Sequence, residues 1–398
     1  MKPRLQEAAL LLAIFFDMVG FTMLIPNIQL RADTLLGSTP LKGPIIGLLL
    51  QSTFIIQLIA SPQWGRFADR VGGKKIFVAC QWLSALAMLL YGLAESIPLL
   101  FLSRIMAGFG SANIAVGQSM IVASTDEAQR KVVLGRLGAA ISAGSILGPA
   151  IGGFSTHYFG NHWIGVVGAG ISALGGLLVL AFVSEIKPAP KEHQKLKWID
   201  LSFFQKYPSI KPFFWIAVAA SFALATLEGT FGRLIWDTLG YGEREFGIIF
   251  SYEGLLGVLV SAFFVQWLGR KFCDTTLLRI GYVLQGVGLV INPFVAPLIG
   301  IAPGMVWLLL ASTFYAVGAG VVSPTLSALT SNAVPDDAQG ELFGNLQAAR
   351  TFGFIIGPII GGALFDVWHA APYIFAALVC LAVAVALPAI CACHPKKA

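Results

Sequence analysis

The 398-residue sequence is poor in charge. Asp, Glu, Lys and Arg together make up 12% of it, about half the share of a soluble globular chain, and that scarcity excludes an ordinary water-soluble fold. Its five cysteines (80, 273, 380, 391 and 393) and five histidines fall in no CxxC…CxxC or Cys/His ligand spacing. Neither a zinc site nor a disulfide framework is indicated, and no metal or other cofactor is expected. HExxH, GxSxG, a phosphate-binding loop and GxGxxG in a strand–helix setting are all missing, so an enzyme lacks support. Basic residues interleaved with aromatics are missing too, and the net charge of +6 therefore does not point to nucleic acid. A cleavable leader is not indicated either. The first apolar run follows MKPRLQE, carries no small-residue cleavage site and is long enough to span a bilayer.

What the chain has in quantity is apolar surface: 57% hydrophobic residues and a mean hydropathy of +0.79. Its 44 glycines and 20 prolines suit membrane helices better than soluble ones. The reading is an all-α integral membrane protein. At roughly 20 mostly apolar residues per crossing, twelve transmembrane helices are expected near 8–30, 44–63, 76–94, 97–123, 132–157, 162–184, 212–236, 246–267, 275–298, 303–330, 341–365 and 370–393. The longest polar break, 185–211, divides them six and six. It defines an N-terminal bundle (1–185), a linker (186–211) and a C-terminal bundle (212–398). Within the linker, Leu196, Trp198, Ile199, Leu201, Phe203 and Phe204 suit a segment lying flat on the membrane.

Basic residues orient the chain. Eighteen of the 26 Lys and Arg residues lie in breaks on the side of both termini, and Arg31, Lys42 and Arg244 lie opposite. The other five (Arg104, Arg136, Arg233, Arg279 and Arg350) fall within spans. The positive-inside rule then places both termini in the cytoplasm of a cell (inner) membrane.

The halves repeat. GRLGAAISAGSILGPAIGG at 135–153 aligns with GNLQAARTFGFIIGPIIGG at 344–362, identical at eleven of nineteen positions. Asp126-Glu127-Ala128-Gln129 echoes Asp336-Asp337-Ala338-Gln339 at nearly the same offset. Two pseudo-symmetric six-helix bundles follow. Such repeats typically flank a substrate site near the midplane that opens to each side in turn, a symmetry that a receptor or membrane enzyme has no need of.

Two motifs carry the most information. Gly65-Arg66-Phe67-Ala68-Asp69-Arg70-Val71-Gly72-Gly73-Lys74-Lys75 falls in the turn between spans 2 and 3. Its glycines permit a tight reversal, and Asp69 can pair with Arg70 or face a helix N-terminus. In span 5, Gly144, Gly148 and Gly152 form a small-residue face for close helix packing, while Pro149 interrupts the backbone ladder. Gly153 follows, and Gly353, Gly357, Pro358 and Gly361 repeat the arrangement in span 11.

On these residues the chain resembles the major facilitator superfamily, and within it the twelve-helix drug:proton antiporters of the tetracycline-efflux type. The first loop matches G-x-L-a-D-R-x-G-R-K except at Gly73, where that family usually has Arg. Arg104 to Gly110 matches R-x-x-x-G-x-G, and Gly144 to Gly153 matches the antiporter motif G-x-x-x-G-P-x-x-G-G in full. Asp17-Met18-Val19-Gly20-Phe21 through Pro26 resembles the first-helix motif. The resemblance implies the superfamily fold, a monomer, gating by the loop residues Gly65, Asp69, Arg70 and Gly72, and a span-5 seam that seals the pathway against proton leak.

Charges within the membrane cost at least ~2.5–3.5 kcal/mol each and need a partner or a cavity. Asp17 lies roughly 13 Å into span 1 and Arg104 some 10 Å into span 4, at 1.5 Å per residue, depths at which the guanidinium reaches the carboxylate. Asp17, Arg104 and Glu228 (span 7) are the expected proton-coupling residues. Asn113, Gln118, Glu253, Asn345, Gln347 and Arg350 are the expected substrate contacts, with Arg350 balancing an acid or drawing an anionic group. The reading is a secondary transporter that exchanges protons for small amphipathic or hydrophobic compounds. The alternative is a proton symporter importing a small polar nutrient, which would favour a more polar cavity and no span-5 motif.

Overall fold

In lipid the backbone must satisfy its own polar groups, and an α-helix does so within one segment. The computed structural model describes residues 3–111, 113–125, 129–185, 205–296, 301, 303–331, 333–335 and 339–390, and its regular elements are helical. In chain order they are α1 (Pro3–Thr22), α2 (Ile25–Leu36), α3 (Lys42–Val71), α4 (Gly73–Leu93), α5 (Ile97–Gly110), α6 (Asn113–Ser124), α7 (Arg130–Phe159) and α8 (Asn161–Phe182). There follow α9 (Lys211–Leu239), α10 (Glu243–Leu259), α11 (Val265–Lys271), α12 (Asp274–Ile291), α13 (Gly304–Ser331), α14 (Gln339–Val367) and α15 (Ala371–Ile390). Among the described residues eleven helical stretches are long and apolar enough to cross a bilayer, and Ala371–Leu387 is a shorter apolar one. The linker's predicted interfacial segment, the 126–128 and 336–338 echo and Lys396 and Lys397 lie outside the described residues.

Among the described residues, three spans are interrupted along their length. Span 1 breaks after Thr22 and resumes at Ile25, where Pro26 occupies a first-turn position that needs no N–H. It then runs on to Leu36, further than expected. Span 4 breaks between Gly110 and Asn113, and span 8 carries a π-helical turn at Val260–Phe264 between α10 and α11.

The chain forms two compact units. The first comprises 1–38, 49–196 and 241–251, and the second 39–48, 197–240 and 252–398, so the opening turns of α3 and α10 belong to a different unit from the rest of those helices. In the first unit α1 packs on α7 and α8, and α4 on α5 and α8. The second unit repeats the scheme, with α9 on α14 and α15 and α12 on α13 and α15. The internal repeat thus appears as one packing plan used twice.

Glycine makes the closest of these contacts possible. A Cβ on Gly144 would lie 2.6 Å from Met18 Cβ, and one on Gly152 would collide with the Met23 carbonyl. In the second unit a Cβ on Gly353 would meet the Val218 carbonyl at 2.5 Å, and one on Gly357 the Phe222 carbonyl at 2.9 Å. The other face of each seam is equally tight. Gly153 packs on the Glu243 backbone at the start of α10, and Gly47 of α3 on the Pro358 carbonyl.

Cys80 and Cys380 are free and buried. Cys273 is disulfide-bonded, which the cysteine spacing does not foretell.

Candidate functional site

The break in span 4 organises the first unit's polar interior. α6 restarts at Asn113, which is wholly buried and lies beside the Asp17 carboxylate of α1, itself 6% exposed. The Asn113 amide is within hydrogen-bonding range of the acid, although neither of its polar atoms closes a hydrogen bond of good geometry. The buried Cys80 thiol of α4 lies within electrostatic reach of Asp17. The structure does not bring Arg104 to Asp17.

Arg104 turns instead to Tyr91. Its guanidinium carbon lies 4.8 Å from the Tyr91 ring centroid, and that of Arg31 lies 5.0 Å from the same ring. A cation over an aromatic face in a desolvated place is worth about 2 kcal/mol. Arg31 also donates to the carbonyls of Tyr91 (2.7 Å), Gly92 (3.2 Å) and Ala94, the acceptors left open at the C-terminal end of α4. It is therefore a buried capping residue and not part of an outer break. Tyr91 donates its hydroxyl proton to Asn27 Oδ1, and Asn27 Nδ2 donates to Asn161 Oδ1 (2.6 Å) and Glu243 Oε1 (3.4 Å). Arg104 Nη2 is left buried with no hydrogen-bond partner. Tyr91, Arg31, Asn27 and Glu243 were not foreseen. A lone Tyr in an apolar run and an Arg one residue past an expected span end give little signal.

The second unit holds the other acids. Glu228 of α9 and Glu253 of α10 interact electrostatically. Ser312 and Tyr315, one turn apart on α13, face the Glu253 carboxylate. Beside this pairing Tyr252 and Thr313 share a hydrogen bond of 2.8 Å that ties α10 to α13. Arg350 does not balance these acids. Its Nη2 donates to Ser327 Oγ at 3.4 Å and it lies near Tyr282, whose hydroxyl donates to the Ile216 carbonyl at 3.1 Å. Asn345 is buried, whereas Gln347 and Gln118 are exposed.

Arg233 is buried, not at the surface, and donates to Asp366 Oδ1 at 3.0 Å, while Asp237 pairs with His369 at 3.7 Å. In the loop before α4, Gly72 has φ +112°, a conformation that glycine alone adopts at low cost. Glu185 accepts the Lys74 N–H there at 3.1 Å and so caps α4. Gly65 has open space around it and Arg70 is exposed. The side chain of Asp69 lies outside the described residues.

The comparisons agree on the chain's kinship. A family model described as Major Facilitator Superfamily matches residues 10–235 and 226–392. The chain is 27% identical over 388 residues to multidrug resistance protein 1 of Bacillus subtilis, covering 97% of this chain and 96% of that protein. It is 27% identical over 377 residues to the quinolone resistance protein NorA of Staphylococcus aureus, covering 93% and 92%. Among solved structures, the nucleoside transporter NupG superposes with a TM-score of 0.74 at 16% identity, over 98% of this chain and 99% of that one. The human organic anion transporter MFSD10 superposes with a TM-score of 0.67 at 17% identity, over 97% and 100%. At such identities the structural likeness speaks for the fold alone.

Proposed function

The chain belongs to the Major Facilitator Superfamily, and on that premise we propose that it is a proton-coupled antiporter exporting small amphipathic or hydrophobic compounds by alternating access. The observation that carries this reading is Asp17, a carboxylate buried in a membrane-spanning helix beside the uncharged Asn113. An ionised acid in that place is costly, so it gains by holding a proton when closed off and by releasing it when exposed to water. Arg104, a buried charge held by the Tyr91 ring and not an ion-pair partner of Asp17, is assigned to the same proton path.

Glu228 is the second proton site in this reading. Asn113, Gln118, Glu253, Asn345, Gln347 and Arg350 contribute to the substrate path. The halves 1–185 and 212–398 move about the linker, and Gly65, Asp69 and Arg70, which lie in the last turns of α3 and not in the expected loop, gate the inner side with Gly72. The seam Gly144, Gly148, Pro149, Gly152 and Gly153 keeps helices close enough to exclude water. Eighteen basic residues on one side support cytoplasmic termini, and the reading places the chain in the cell (inner) membrane. The protein is a carrier and not an enzyme, works as a monomer in the bilayer, and has no nucleic-acid partner. The names of the relatives, multidrug and quinolone resistance proteins, favour export over nutrient uptake.

The test uses purified protein in vesicles that hold a lumenal pH dye, with no starting gradient. Cationic dyes, tetracyclines, sugars and organic acids are added outside one at a time. Protein-dependent alkalinisation of the lumen is the expected result, since protons leave as substrate enters. Acidification means co-transport and overturns the proposal.

A further inference from the structure

Arg104 is 3% exposed, and its Nη2 has no hydrogen-bond partner. A guanidinium is charged at neutral pH and offers five N–H donors and no acceptor, so a buried one needs acceptors around it. Those nearby are already engaged. Ser103, wholly buried, accepts Arg104 Nε at 3.4 Å and gives its own proton to the Leu100 carbonyl at 2.7 Å. The Tyr91 hydroxyl donates to Asn27 Oδ1, and the Arg104 guanidinium lies over the ring rather than at the oxygen. Arg31 stands over the same ring and directs its donors at the Tyr91, Gly92 and Ala94 carbonyls.

The charges around Tyr91 do not balance. The groups that act on it electrostatically are Arg31, Arg104 and Glu243, two guanidiniums and one acid. Glu243 takes the Asn27 amide at 3.4 Å, not a guanidinium. Among the described residues the group that acts on Arg104 is Tyr91, not a carboxylate. A buried cation without a counter-charge is costly, and this cluster has one positive charge too many and a guanidinium nitrogen with no acceptor. We propose that Arg104 Nη2, together with Arg31 on the same ring, forms a binding site in the first unit for one small monovalent inorganic anion of the halide class. The surroundings set the size. Ser103 and Tyr91 are wholly buried and Arg31 is 8% exposed, a setting for a chloride-sized ion that sheds its water and not for an organic acid. One bound anion supplies the missing acceptor and, with the Glu243 carboxylate, matches the two guanidiniums. Such binding goes beyond drug export and requires neither substrate nor proton.

The test uses the full chain purified in detergent, with no substrate present. Its melting temperature is followed as sodium gluconate is replaced by sodium chloride at constant ionic strength, with sodium bromide and sodium sulfate as further probes. An anion that binds only the folded state raises the melting temperature in a saturable way. Chloride and bromide are expected to do so, and sulfate is not. Arg104→Gln, which removes the charge, is expected to weaken chloride binding at least about tenfold, since a hydrogen bond to a charged group is lost. Arg104→Lys keeps a positive charge and is expected to retain more of the response than Arg104→Gln, which separates charge from a folding defect. A wild-type melting temperature that is the same in chloride and gluconate overturns the inference. An equal rise in wild type and Arg104→Gln also overturns it, as a general salt effect. If neither variant folds, the line width of the chloride NMR signal decides on wild type alone. Broadening that bromide reverses and gluconate does not upholds the site, and no broadening removes it.

Discussion

The carboxylate of Asp366 accepts the backbone N–H of Gly43 at 2.7 Å, which makes a residue of α14 the N-terminal cap of α3, 323 positions earlier in the chain. Its other oxygen takes Arg233 at 3.0 Å. One acid thus satisfies an open helix-end donor and a buried guanidinium. Asp366→Ala is expected to destabilise the protein by about 3 kcal/mol, since removing one partner of a buried pair strands the other. Asp366→Asn, which still accepts from Gly43, should cost less. Thermal unfolding in detergent ranks the three proteins, and equal stability of wild type and Asp366→Ala would remove the pair from the account.

Glycines in the seam and glycines in open space should behave differently. Gly152→Ala drives a methyl into the Met23 carbonyl, and backbone cannot step aside as a side chain can. A loss of about 1–3 kcal/mol or more is expected from such overpacking. Gly65→Ala meets nothing within 4 Å and should be tolerated. Gly72→Ala is opposed twice, because φ is +112°, a strain that costs about 1–3 kcal/mol, and because the new methyl would meet the Glu185 carboxylate. Expression level and melting temperature of the three variants test the ordering.

Tyr91 has two separable roles. Tyr91→Phe keeps the ring under Arg31 and Arg104 but leaves Asn27 Oδ1 without its donor, a cost of about 1–3 kcal/mol. Tyr91→Leu removes the ring as well, and transport should fall further than stability alone accounts for. Comparing the two variants for melting temperature and for initial transport rate separates the roles, and indistinguishable rates would deny the ring any part in placing Arg104.

How much of this was legible in the sequence follows from what a one-dimensional pattern records. The G-x-x-x-G spacing at 144, 148 and 152 announced a close-packed face, and that face meets Met18, Thr22 and Met23. The position of Asp17 within span 1 gave its burial correctly. Depth along a helix, however, fixes height and not azimuth, which is why Arg104 sits at a compatible level yet turns to Tyr91. The pairing of Arg233 with Asp366 spans 133 residues, a separation that no local pattern records. Span 4's break had a local signal in Gly110-Ser111 and Asn113, turn-forming residues that the surrounding apolar run concealed. Ser312 and Tyr315 carry no charge and became visible only when the fold set them against Glu253.

The central claim is that Asp17 carries the coupled proton, and its direct test is transport by Asp17→Asn in vesicles, run with and without an imposed pH gradient. The account predicts that uphill, gradient-driven transport is lost while exchange of labelled for unlabelled substrate persists, since the carboxamide keeps the shape of the site but cannot exchange a proton. Full uphill transport by Asp17→Asn would contradict it.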